Sequence, residues 1–165
     1  MTEIEALRGR VVAARDEFRQ VPGSGPHRLG PPDPATGEQW SAGNVLGHMA
    51  NILPFWSGQI SAALEGSTWI GRGENGYESR KQAIEAGATA DEAKLRSEIE
   101  QGIDTVLQLL DRIRPDQLDL EVEHRRAAET KVKSIRVLLD QILVSHLEAH
   151  VRQYRELRSA TAQTG

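Results

Sequence analysis

There is no cysteine in these 165 residues. Disulfides, cysteine-type zinc sites and a thiol nucleophile supplied by the chain itself are therefore excluded. Long apolar runs are missing too, and no segment reaches the length of a membrane span. The N-terminus, Met1-Thr2-Glu3-Ile4-Glu5, is acidic rather than signal-like. A cytoplasmic protein with no membrane partner is the expectation. Positive charge is not in excess either: the formal net charge is −4, and the basic residues are scattered among acidic ones. Nothing resembles a continuous phosphate-binding patch, so no nucleic-acid partner is expected.

What is present suits one globular domain over residues 1–165, with 38% hydrophobic and 27% charged residues. Helical periodicity marks four stretches, roughly 3–20, 41–65, 90–113 and 134–158. Thr2 with Glu5 reads as a capping box for the first, whose inward stripe is Ile4, Leu7, Val11, Ala14 and Phe18. Ser41 is the expected N-cap of the second. Within that helix Pro54 is expected to introduce a kink or break, while Gly43 and Gly47 suit close approach of another backbone. The third carries Leu95, Ile99, Ile103, Val106, Leu110 and Ile113. The stretch between residues 66 and 87 is irregular, with room for a short helix near Tyr77–Ala86, and Leu118–His124 alternates like a short strand. The expected fold class is all-α, a four-helix bundle with long crossover connections.

Chemistry concentrates in three histidines. His146 and His150 are four residues apart, which puts them side by side on one helical face. At about 100° per residue that face also carries Ile135, Leu139, Ile142, Leu143, Gln153 and Leu157, so it turns inward. His48 shares an apolar face of the second helix with Asn44, Val45, Ile52 and Phe55. Imidazole is the commonest ligand for zinc, nickel and related metals. Two buried imidazoles side by side need either hydrogen-bond partners or a shared ion, and the residues alone leave both readings open. Glu148 is two residues past His146, not adjacent to it as a zinc-protease helix requires. Leu143 and Leu147 stand where a di-iron bundle would place glutamates. His27 and His124 read as solvated surface residues.

Three features resemble the DinB-like superfamily of metal-binding helical bundles. They are Trp40-Ser41-Ala42-Gly43-Asn44-Val45-Leu46-Gly47-His48, the closing His146-x-x-x-His150-x-x-Gln153, and the order and spacing of the four helices. The Trp-Ser segment and sixteen arginines against four lysines lean toward the mycothiol-dependent maleylpyruvate isomerase-like branch. The resemblance implies that His48, His146 and His150 bind one divalent metal, zinc or nickel first and iron next. It also implies an external low-molecular-weight thiol, such as mycothiol, whose thiolate the metal stabilises for attack on a small electrophile. A homodimer is common among such proteins. The chain has no room for the C-terminal domain of some isomerase-like members, so transfer rather than isomerisation is expected. Asn44 and Gln153 are candidates to orient the ligands, and Trp40, Trp56, Tyr77 and Tyr154 candidates for a pocket mouth. Two alternatives stand beside this reading: a non-catalytic metal- or ligand-binding stress protein of the same fold, and a metal-free helical module.

Overall fold

The structure is a computed structural model that describes residues 1–23 and 28–162. His27 lies outside them. The first helix, α1 (Glu3–Gln20), begins at the Thr2–Glu5 capping box and buries Leu7, Val11, Ala14 and Phe18. Ser41 opens α2 (Ala42–Leu64), where its side chain accepts from the Asn44 amide and the Asn44 side chain accepts from Ser41. This helix runs on through Pro54 rather than ending there. Pro54 faces outward, so the carbonyl that loses its partner is not sealed in the core.

The four expected helices are all present, but the all-α four-helix bundle needs correcting. An additional helix and a three-stranded mixed sheet occupy the connections. After α2 the chain forms β1 (Trp69–Gly71) and then α3 (Glu74–Gly87). Next comes α4 (Glu92–Arg112), capped by Asp91, with Leu95, Ile99, Ile103, Val106 and Leu110 buried. The hairpin strands β2 (Glu121–Arg125) and β3 (Thr130–Ser134) come after it. β2 is central, parallel to β1 with Ile70 opposite His124, and antiparallel to β3. Gly71, at φ 151°, lets the two parallel strands close up: a Cβ there would overlap the Arg125 carbonyl oxygen.

The last helical run begins as α5 (Ile135–Leu138), widens into a π-helical stretch (Leu139–Val144) and continues as α6 (Ser145–Ala162). Within the widened turn the Ser145 amide reaches back five residues to the Asp140 carbonyl. Arg10 of α1 braces this turn from outside through Asp140 (2.6 Å), Ser145 (2.9 Å) and Glu148 (2.7 Å). A π turn inserts a residue without breaking the helix. It rotates α6 relative to α5, so that Ile135 and Leu138 before it and Leu147, Val151 and Tyr154 after it are all buried.

Packing between α2 and α3 is unusually close. Cβ atoms at Gly47 and Gly87 would overlap the carbonyl oxygens of Ala83 and Gly43. The glycines of α2 thus bring in another backbone, α3, and α3 carries Arg80 toward His48.

Candidate metal centre

His48 sits in the middle of α2 at 2% exposure, while His146 and His150 are half-buried on α6. The three present ligand nitrogens that all lie within 4.8 Å of one another. His48 Nε2 and His146 Nε2 are 3.4 Å apart. The three imidazole rings cluster, with centroids 4.5 to 5.4 Å apart. Sequence reasoning left convergence open, because it depends on α2 touching α6; the two helices do touch.

Two of the rings are held in a defined tautomer. His146 Nδ1–H donates to the carbonyl of Ile142 (3.2 Å), inside the π-helical stretch. His150 Nδ1–H donates to Gln153 Oε1 (2.9 Å). A carbonyl or amide oxygen accepts only, so each ring must keep its proton on Nδ1 and aim an Nε2 lone pair at the centre. The buried Nδ1 of His48 has no hydrogen-bond partner among the described residues.

Burial pushes all three histidines toward the neutral form. Desolvation holds His48 down at about 2, helped by His150, His146 and the cations Arg80 and Arg72. His150 is lowered to about 4, again chiefly by burial, and His146 is lowered for the same reason. The Nε2 lone pairs of His146 and His150 converge and repel one another; a cation between the three rings turns that repulsion into binding. The group can hold a metal ion.

Other expected residues go elsewhere. Gln153 accepts from His150 Nδ1–H, but Asn44 is engaged at the helix start: its Nδ2 donates to the Ile84 carbonyl at 2.7 Å, tying α2 to α3. Glu148 binds Arg10, away from the histidines. Tyr154 is fully buried and donates to Glu92, in a core network with Arg96 and Arg158. Trp40 lies over His48 (5.1 Å) and His150 (6.0 Å) and walls the site.

His124 corrects its surface reading. It is 6% exposed and edge-on to Trp56 at 5.7 Å, because its strand is covered on that side. The alternation around it marked the strand, but only the packed sheet shows which face is inside.

Two cavities meet at the histidines. The larger, about 820 Å³, is walled by Trp40, α6 and the 28–40 segment, and all three imidazoles line it. That segment is folded back on itself by Gly30 N–H to the Trp40 carbonyl and Asp33 N–H to the Glu38 carbonyl (2.8 Å each). The smaller, about 450 Å³, lies on the sheet side and reaches His48 and His146. No helix among the described residues is long and apolar enough to cross a membrane.

A scan against protein-family models finds no match to this chain, and neither the curated proteins nor the solved structures contain a match.

Proposed function

We propose that the protein is a divalent-metal-dependent transferase that activates a small external thiol against an electrophile. The observation carrying this reading is the convergence of three imidazole nitrogens where two cavities share His48 and His146. A structural metal shell is closed by protein ligands, whereas a catalytic one keeps a position open to a cavity. The motifs resembling the DinB-like superfamily point the same way. The 3.4 Å between His48 Nε2 and His146 Nε2 matches two nitrogens about 2.0–2.1 Å from a tetrahedral zinc ion. Nickel and iron also accept imidazole.

A divalent ion at these nitrogens would supply Lewis acidity, favouring the ionised form of a thiol or water beside it. The chain's own residues do the rest. Ile142 and Gln153 fix the His146 and His150 rings, so the ligands need no reorganisation. Arg72 and Arg80 add positive potential around the histidines, which favours a thiolate over a thiol. Trp40 covers His48 and His150 and keeps water from one side of the rings. A thiol nucleophile must come from outside, since the chain has no cysteine. A cavity of about 820 Å³ is within the size range of small-molecule sites.

The test is elemental analysis of protein purified without a histidine tag, followed by consumption of free thiol in the presence of a test electrophile. One ion per chain is expected, together with thiol consumption that stops on chelation and returns with metal. Thiol consumption that survives in the His146→Ala, His150→Ala double variant would overturn the proposal.

A further inference from the structure

Four cations that are scattered along the sequence are brought together in the smaller cavity: Arg72, Arg80, Arg126 and Lys133. They come from the β1–α3 connection, from α3, from the β2–β3 turn and from β3. No carboxylate lines this cavity among the described residues, although the chain carries more acidic than basic residues overall. Arg125, also in its wall, is already paired with Glu123 at 2.8 Å. The other four form no ion pair among the described residues.

Arg72 is the most constrained. Its Nη1 donates to the Gly76 carbonyl (2.9 Å) and its Nη2 to Asn51 Oδ1 (3.2 Å). Its guanidinium lies 4.1 Å from the Phe55 ring centroid. Neutral partners hold the group in place without neutralising it. Burial and the neighbouring charge of Arg80 pull its pKa down to about 10, the mark of a cation lacking a counter-ion. Arg80 lies 5.8 Å over the Trp40 ring, and Lys133 donates to Gln141 Oε1 at 3.4 Å. A partly desolvated group of like charges is costly until an anion joins it, and guanidinium forks suit planar or tetrahedral oxyanions.

We propose that this cavity is an oxyanion subsite, holding the carboxylate or phosphate group of the small molecule whose reacting end lies at the three histidines. His48 and His146 line both cavities, so one ligand can span from the cations to the imidazoles. The anion site rests on the cations themselves; what happens at the reacting end rests on the proposed thiol transfer.

The experiment titrates succinate, inorganic phosphate and neutral succinamide into the untagged protein by calorimetry, with metal content measured on each sample. Succinate or phosphate is expected to bind about tenfold more tightly than succinamide, or better, and the tighter of the two identifies the group. Arg80→Gln and Lys133→Gln each weaken that binding by about tenfold. Arg126→Gln does the same from an exposed turn, where folding is least disturbed. Arg155→Gln, whose guanidinium pairs with Glu17 on α1, leaves binding unchanged. His150→Ala separates the two readings, because His150 lines only the larger cavity. Anion binding that persists there after metal is lost supports the subsite, and it does so even if the wild type proves metal-free. Equal binding of all three probes overturns it. So does binding that ignores the Arg80 and Lys133 variants and vanishes with the metal, since the anion would then sit on the ion.

Discussion

His48 on α2 and His146 on α6 face each other with their Nε2 atoms 3.4 Å apart. His146 holds its proton on Nδ1, against the Ile142 carbonyl, so its Nε2 offers only a lone pair. The contact is then either one hydrogen bond donated by His48 or one edge of a coordination shell. His150 brings a third nitrogen to the same place, and one proton on His48 cannot fully satisfy both of the lone pairs that remain. The arrangement is better suited to an ion than to a proton.

Gln153 and Asn44 separate ligand orientation from fold stability. Gln153→Ala removes the acceptor for His150 Nδ1–H and is expected to weaken metal binding about 10- to 100-fold with little change in melting temperature. Asn44→Ala removes the capping partner of Ser41 and the strap to Ile84. It is expected to cost about 1 kcal/mol of stability while metal affinity stays within about twofold of wild type. Competition with a chromogenic chelator and denaturant melts measure the two quantities. An Asn44 variant that folds normally but loses metal would contradict the assignment.

Two glycines in α2 should respond in opposite directions. At Gly47 a Cβ overlaps the Ala83 carbonyl oxygen, so Gly47→Ala must push α3 away. A loss of about 1–3 kcal/mol is expected. At Gly58, exposed on the same helix, nothing lies within 4 Å of the added carbon. Gly58→Ala is expected to stabilise by about 0.5–1 kcal/mol through helix propensity and a less flexible unfolded chain. Urea unfolding midpoints of the two variants decide the matter; a neutral Gly47→Ala would mean the helices are not in backbone contact.

Acid should destabilise the metal-free protein. Burial holds His48 at about 2 and His150 at about 4 in the folded chain, against an ordinary value near 6.5 when unfolded. Below that ordinary value the unfolded chain takes up protons that the folded chain refuses, so stability falls as pH falls. The contribution is complete above about 6.5 and is lost downward through about 4 for His150, and lower still for His48. Chelated protein is expected to show a urea midpoint that drops steadily from pH 7 to pH 5, with a shallower drop in His150→Ala. An unchanged slope in that variant would show that His150 is not held neutral.

Much of the helical framework was legible along the chain. Stripes such as Leu95, Ile99, Ile103 and Val106 repeat at helical spacing, and local capping at Thr2 and Ser41 marks where helices start. Pairing of His146 with His150 needed nothing more than the i, i+4 geometry of one helix. The sheet was largely illegible. Trp69–Gly71 is too short to show a period, and its partner strand lies more than fifty residues away, with Trp69 opposite Glu123. The widened turn at Leu139–Val144 also leaves no signature, since it depends on how the helix packs.

By itself, then, the sequence determined local matters: where helices begin, which of their faces are apolar, that two histidines share one face, and that no thiol comes from the chain. Those properties arise from backbone geometry and side-chain chemistry within a few residues. Tertiary structure alone decided that His48 meets the other two, that His124 is inside, and that Asn44 serves a helix cap and a strap to α3 instead of orienting a histidine. It also decided that Arg72, Arg80, Arg126 and Lys133 share one cavity. The physical reason is range: these outcomes depend on contacts between segments far apart in the chain, made only when α2, α3, α6 and the sheet pack together.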